Sequence, residues 1–564
     1  MHTPFRILTS ALLSLMILAA GCLSPAGARV SPSTRRAAAE LVAPWISDAA
    51  PGLSVAVMQD GKIAFRAETG LADLSHATPI TEETVFHAAS LSKQFTAFLV
   101  LSLAAEGELS LDDDIRLYLP ELAATGSTVT IRHLLDHMGG LREQSSLRGM
   151  AGWSREDLVT PRQMLRLLSL QKGANFEPGA QVQYSNTGYG LLAEIVSRVS
   201  GKPFGAVARE RIFEPLGMSK TSFRDSLSRV IPNAAQSYAP GRNGFSHLAL
   251  NYELLGSTGL QTTPSDLLKW AENFETRKIG DSRVFALMAE RTSAANGEPA
   301  VHGRGQELRP HHGVQTWSHG GRDAGFRAFL LRAPEEGLAV AVLSNRADFD
   351  MAKFAFEMAD VFLGTSDTIS AGPGDAWARA TEAELRGYAG DYELFSGLIF
   401  SISTDGEQLF FAPLNSPQKA TLPQVGEGRF MLNPDDNISI EFLVDASGRA
   451  SAFNYVVSLN GKLLAPRITL APFDPSSVNL QSFEGVYESD ELQTRYVFKI
   501  ENGALTAHHL RLAPVRLTPY QEDTFSGSSS DFEKVVMERD ASGALVGCLV
   551  SGAMAENVRF RKVR

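Results

Sequence analysis

Ser90 and Lys93 stand three residues apart in Phe86–Gly107, FHAASLSKQFTAFLVLSLAAEG, a spacing that puts a hydroxyl and an amine on one face of a helix. Apolar residues recur behind them at Phe95, Phe98, Leu99, Leu101 and Leu103, densely enough for a helix buried on most sides. Gly107 suits the left-handed residue that ends such a helix. Ser90 then lies at the helix N-terminus, where unpaired N–H groups and the helix dipole favour developing negative charge. Burial or a second cation lowers a lysine from its usual value of about 10.4 toward a usable base. The chemistry open to such a pair is nucleophilic catalysis through an acylated serine.

Two residues are a weak pattern. Ser416–Lys419 has the same spacing, in a turn flanked by Pro and Asn with no helix behind it. Roughly one or two such matches arise by chance in a chain this long. Other residues must therefore carry the case for Ser90. Tyr184-Ser185-Asn186 follows the turn Glu177-Pro178-Gly179 and precedes a helix, and among eleven tyrosines it is the only Tyr-x-Asn. A phenol beside a lysine ammonium can be held as, or close to, phenolate and can shuttle the serine proton. The Asn186 amide can hydrogen-bond a substrate carbonyl and both neighbouring side chains. Of three His-x-Gly triplets, His137-Met138-Gly139 falls at a helix end and His311-His312-Gly313 in a polar loop. Only His319-Gly320-Gly321 leads into strand signals, through Gly325-Phe326, and its glycines let a substrate backbone approach. The N–H of Arg322 then completes an oxyanion hole with that of Ser90.

The elements around these motifs set their places. Leu53–Met58 and Lys62–Glu68 alternate about Asp60-Gly61, a hairpin signal. Helices are predicted at Arg35–Ala43, Ile131–Leu141, Pro161–Gln171, Thr187–Val199 and Pro203–Phe213, and from a cap at Thr263 or Ser265. Strands return at Ala328–Arg332 and Leu338–Ser344. Strands, then helices, then strands imply an α/β (α+β) domain whose sheet draws on both ends of the segment, with a helical region inserted. Gly364–Asp375 reads as a linker. Beyond it Leu385–Glu393 realigns with Leu480–Glu488, and Asp445–Gly448 with Asp540–Gly543, both at a shift of 95 residues. Short alternating strands in both copies predict two small antiparallel β-barrels or sandwiches. The expected boundaries are 1–28, 29–364, a linker at 365–378, and barrels at 379–472 and 473–564.

The first residues carry one arginine and no acid, and the apolar run Ile7–Ala20 is too short to span a bilayer but right for a signal-peptide core. Ala19-Ala20-Gly21-Cys22 resembles a bacterial lipoprotein cleavage box with Cys22 acylated, while Ala26-Gly27-Ala28 offers an ordinary cleavage site. Either reading implies export to the periplasm, with membrane anchoring on the first. Cys548 is the one other cysteine, so a disulfide framework is not expected. A net charge of −11 argues against a nucleic-acid partner, which wants a basic face. Asp112–Asp114 lacks calcium-loop spacing, and there is no His-Glu-x-x-His pair, phosphate loop or Gly-x-Ser-x-Gly elbow. No metal or cofactor is expected, and the oligomeric state stays open.

Ser90-Leu91-Ser92-Lys93, Tyr184-Ser185-Asn186 and His319-Gly320-Gly321 together resemble the serine β-lactamase and penicillin-binding-protein superfamily, in its class C–like branch. LSLDDDIRLYLPEL, IRHLLDHMGGL, FEPGAQVQYSNTGYGLL, IFEPLGM and STGLQTTPSDLLKW are similar to family stretches and come in the family's order, over about residues 45–364. The two C-terminal modules resemble the accessory β-barrels of some D-aminopeptidases. The resemblance implies Ser90 as the acylated nucleophile, Lys93 and Tyr184 sharing the base role, and Asn186 positioning substrate. It puts His319 where the family's third motif has a lysine, a replacement common in its esterases and peptidases and unusual in true β-lactamases. Met138-Gly139 replace the usual Thr-Ser before Gly140, and His133 and His137 match scaffold positions. The implied substrates are peptides with D-residues, wall-derived or nonribosomal, such as linearised microcystin. Small acyl esters and β-lactams are alternatives, as is a penicillin- or wall-binding protein without turnover. Gly321, Asn186 and Arg322 are the expected substrate contacts, and Arg322 or Arg327 could pair with a substrate carboxylate.

Overall fold

The computed structural model of the chain describes residues 30–563, other than 155, 298–301, 366–377, 396, 415, 417, 434–437 and 458–460. The leader with Cys22 and most of the expected linker lie outside the described residues.

One seven-stranded antiparallel sheet organises the catalytic domain, and it is drawn from both ends of the sequence. The first helix is α1 (Pro32–Val42), followed by β1 (Leu53–Gln59) and β2 (Lys62–Thr69). Asp60 and Gly61 both take positive φ, 51° and 72°, the mirror-image turn that Asp-Gly favours. Helix α2 (Ser92–Glu106) and helix α3 (Asn186–Ser200) belong to the inserted helical region. The sheet resumes with β3 (His302–Gly303), β4 (Gln306–His311), β5 (Val314–Asp323), β6 (Phe326–Ala333) and β7 (Leu338–Ser344), and α4 (Met351–Leu363) closes the domain. The strand order is β3-β4-β5-β6-β7-β1-β2.

Both faces of this sheet are covered, and its central strands β6 and β7 are buried at every position. Phe329 and Leu331 of β6, with Val340 and Val342 of β7, pack against α1 and α4. Ala328, Leu330, Ala341 and Leu343 face the opposite way, into the core built around α2. That helix is buried at every residue from Ser92 to Leu103, so it has no solvent face. It stops at Gly107, whose φ is 79°. Two predicted helices differ. Ile131–Leu141 is helical only to Leu135, because His137 and Gly140 turn the chain with φ of 59° and 66°. A further helix, Gln144–Met150, follows, in a stretch outside the predicted helices. Pro203–Phe213 becomes a short α-helix, Phe204–Ala208, running into a π-helical turn at Arg209–Phe213.

Two β-barrel domains follow. The first is a nine-stranded antiparallel sheet whose end strands, Ala420–Leu422 and Gln424–Gly426, are adjacent in the chain. The second closes fully, Gly485–Ser489 pairing with Ala555–Lys562. The 95-residue shift survives in detail. Tyr392 OH donates to Tyr388 O at 2.6 Å, and Tyr487 OH to Phe483 O at 2.8 Å. The first barrel keeps its own hydrophobic core, whereas that of the second is continuous with the helical region of the catalytic domain.

Candidate active site

Ser90 sits in a single 3₁₀ turn, Ala89–Leu91, immediately before α2. Ser92 pins this turn: its hydroxyl donates to Ala89 O at 2.6 Å and accepts from Leu260 N at 3.1 Å. Lys93 is fully buried, and its Nζ lies 3.1 Å from Ser90 Oγ, 2.8 Å from Asn186 Oδ1 and 2.9 Å from Ser257 O. An ammonium would donate to all three. A neutral amine keeps two hydrogens, and a carbonyl and an amide oxygen can only accept them. The nitrogen lone pair is then left for the one partner that can donate, the Ser90 hydroxyl. Burial drives the Lys93 amine down to about 7, against Glu143 and Asp323, whose charges favour the ammonium.

Tyr184 and Asn186 arrive on the N-terminus of α3, capped by Ser185, whose Oγ accepts from Gly188 N at 3.0 Å. The Tyr184 phenol is hydrogen-bonded to Ser90, and its ring centroid lies 4.7 Å from Lys93 Nζ. Burial raises its pKa above the ordinary phenol value, so Tyr184 is a neutral phenol here and not the near-phenolate expected from the sequence. The cause is burial, which also lowers the Lys93 pKa and so weakens the cation meant to hold a phenolate. His137 holds this corner from outside: Ser185 N donates to its Nδ1 at 3.0 Å, and its ring lies 4.6 Å from that of Tyr184. Glu143 does the same from below α3, its Oε2 accepting from Asn186 N at 2.9 Å and Thr187 N at 3.0 Å. A carboxylate at a helix N-terminus is favourably placed.

The third motif approaches along β5. Strand β4 pairs with β5 only as far as Ser318, so the edge beyond His319 is left to face the Ser90 turn. Gly321 is what allows that closeness, because a Cβ there would stand 2.3 Å from Ala88 O. Gly321→Ala is expected to push β5 off the Ser90 turn. Since a misplacement of about 1 Å can cost about 10²-fold, kcat should fall on that order with little change in Tm. Steady-state kinetics beside a thermal melt check both. His319 is buried and its Nδ1 lies 2.6 Å from Gly320 O, so that nitrogen carries the proton. Burial, and then the charge of Lys93, push it down to about 3, which leaves a neutral imidazole where the third motif's lysine would bring a cation. Arg322 is exposed beside it. Arg327 is not available to substrate, since its guanidinium is buried and bonds Ala324 O, Phe326 O and Ala347 O.

Several neighbours carry no signal in the sequence. Asp323, the residue after Arg322, accepts from Tyr252 OH, and lies 3.1 Å from Thr258 Oγ1 and 3.2 Å from His87 Nε2. Burial raises its pKa, but the hydrogen bonds from His87, Tyr252 and Thr258 outweigh that and hold the carboxyl below its usual range. Thr258 follows Ser257, whose carbonyl holds Lys93, so this cluster adjoins the Lys93 amine. Glu307 on β4 is buried, and burial pushes it up to about 7. A cavity of about 430 Å³ lies on the other side of His87, Gln261 and Phe326, and neither Ser90, Lys93 nor Tyr184 lines it. At the second Ser-x-x-Lys, Lys419 Nζ bonds Ser403 Oγ and Ser416 Oγ bonds Gln418 O, so the two do not meet.

Residues 34–361 match the family model described as Beta-lactamase. The chain is 25% identical over 544 residues to a D-aminopeptidase of Brucella anthropi, covering 91% of this chain and 96% of that one. It is likewise 25% identical over 536 residues to a D-aminopeptidase of Brucella ovis, with the same coverage. Among solved structures it resembles the octameric penicillin-binding protein homologue from Pyrococcus abyssi, with TM-score 0.53, 23% identity, and 77% of this chain and 99% of that one covered. SurE gives TM-score 0.54 at 20% identity, covering 77% and 98%. With more than half of its length matched by the family model, the chain belongs to the beta-lactamase family, as a serine hydrolase followed by two β-barrel domains.

Proposed function

We propose that the enzyme is an aminopeptidase of short peptides that begin with a D-residue, and that it works through an acyl-enzyme on Ser90. The observation that carries the chemistry is the bonding of Lys93, whose two obligate acceptors turn its lone pair toward the Ser90 hydroxyl. As Ser90 Oγ attacks the scissile carbonyl, its proton passes to Lys93 Nζ. The N–H groups of Ser90 and Arg322 hold the oxyanion. Neutral Tyr184 donates to the departing amine and is reprotonated from Lys93. Water then cleaves the ester with Lys93 again as base. Asn186 orients Lys93 through its amide oxygen and the substrate through its amide nitrogen.

The substrate class rests on two supports. The D-aminopeptidase relatives align along nearly the whole chain, barrels included. An aminopeptidase also needs an anion for its substrate's ammonium, and Asp323 is an ionised, partly exposed carboxylate one residue past Arg322. A neutral His319 disfavours substrates that present a carboxylate at that place. Such peptides are met outside the cytoplasm, in keeping with the export expected from residues 1–28, whether Cys22 is acylated or cleavage follows Ala28.

The expected result is that kcat/KM for D-alanine p-nitroanilide exceeds that of its L-enantiomer and its N-acetyl derivative by more than about tenfold, a difference of about 1.4 kcal/mol. Asp323→Asn should abolish the preference for the free amine while leaving turnover of a small ester in place. Equal cleavage of the free and acetylated anilides would sink the aminopeptidase reading, and equal cleavage of the enantiomers would sink the D-specific one.

A further inference from the structure

The β4–β5 hairpin turns at the end away from His319. His311 pairs with Val314, so the loop has two residues, and His312 takes a φ of 47° at a position where asparagine is favoured. Both imidazoles fold toward the end of α4. The His311 ring lies 4.6 Å from Phe356 and 4.2 Å from the His312 ring. They converge on Asp360, one helical turn beyond Phe356. His311 Nε2 is 2.8 Å and His312 Nε2 3.9 Å from Asp360 Oδ1, and the three ligand atoms lie within 4.8 Å of one another. Thr365 Oγ1 donates to the same Asp360 oxygen at 2.7 Å.

A cation beside Asp360 would be favourably placed. The Asp360 side chain is 4% exposed, and it stands in the last turn of α4, where the helix carbonyls form the negative end of the dipole. Two imidazoles and one carboxylate suit zinc and its first-row neighbours, whereas calcium and magnesium take oxygen donors. Ligand atoms around tetrahedral zinc stand about 3.3 Å apart, given bonds of about 2.0–2.2 Å. His311 and Asp360 are near that already, and half-exposed His312 can reach it by rotating its side chain. The exposure of His312 leaves the fourth position to water. Thr365 fixes the carboxylate in the way an outer-shell partner does.

We propose that His311, His312 and Asp360 bind a divalent ion of the zinc class, clamping the tip of the β4–β5 hairpin to the end of α4. The site is separated from His319 by about 17 Å of strand, and it stands whether or not the enzyme is an aminopeptidase. The test uses untagged, chelator-stripped protein titrated with zinc chloride, for the parent, His312→Asn and Asp360→Asn. Asparagine at 312 keeps the left-handed turn and removes the imidazole; at 360 it keeps an acceptor and removes the charge. The parent is expected to bind one zinc more than either variant, or to bind it at least about tenfold more tightly, since even outer-shell partners have effects of that size. Equal stoichiometry and affinity in the parent and either variant overturns the site.

Discussion

Lys93→Met lowers kcat/KM by about 10²–10⁴-fold, the contribution of a positioned general base, and at the same time makes the protein no less stable at neutral pH. The two halves of this result have one cause. The unfolded chain keeps the lysine proton up to its ordinary value of 10.5, while the folded chain holds it only to about 7. Between those values the unfolded state binds more protons, so stability rises with pH across the window and the buried amine is a penalty below it. Methionine fills the same space without the charge, and its Tm should match or exceed the parent's at pH 6. Activity has the same pivot. The parent's rate should climb through about pH 7 as Lys93 deprotonates, and this limb should be missing from whatever activity Lys93→Met retains. Lys93→Arg separates charge from basicity, because a guanidinium stays protonated and cannot take the Ser90 proton. A Lys93→Met protein with low Tm as well as low rate would mark Lys93 as structural. So would a parent profile with no inflection near neutrality.

The parts of this site that could be read from the sequence are those whose chemistry is local. Ser90 and Lys93 share one helical turn, Tyr184 and Asn186 flank one cap, and the glycines of His319-Gly320-Gly321 mark a close approach before any neighbour is known. The Asp60-Gly61 hairpin and the split sheet were legible for the same reason, since turn residues and strand alternation act over a few positions. What the sequence hid is what comes from far along the chain. Glu143 reaches Asn186 across 43 residues, and Asp323 meets His87 across 236. The acceptor that turns the Lys93 lone pair toward Ser90 is the backbone of Ser257, which no residue type announces. The phenolate expected at Tyr184 failed on burial, a property of the assembled core. The helix predicted to Leu141 failed because His137 leaves helical geometry to hold Tyr184 and Ser185.

Glu491→Ala, in the second barrel, is expected to slow a reaction whose nucleophile lies in another domain. Glu491 Oε2 is 2.7 Å from Arg142 Nη1, with side chains 6% and 3% exposed, and it also accepts from Lys172 N at 2.8 Å. Removing one partner of a buried pair strands the other charge, at a cost of about 3–5 kcal/mol. The surrounding contacts are close enough to transmit the shift. Tyr496 OH donates to Met150 O at 3.0 Å, and a Cβ at Gly152 would stand 1.9 Å from His509. Arg142 is followed by Glu143, whose N–H donates to Met554 O of the same barrel at 2.9 Å and whose carboxylate holds the N–H groups of Asn186 and Thr187. A barrel that sits less firmly therefore loosens Asn186, and with it Lys93. A shift of about 1 Å there corresponds to about 10²-fold in rate. Arg142→Ala combined with Glu491→Ala should cost less than the two singles added, because the stranded charge is gone. Melts and kcat/KM on the three variants decide the matter. If Tm falls in Glu491→Ala while kcat/KM holds at the parent's value, the barrel is a neighbour of the active site and not one of its supports.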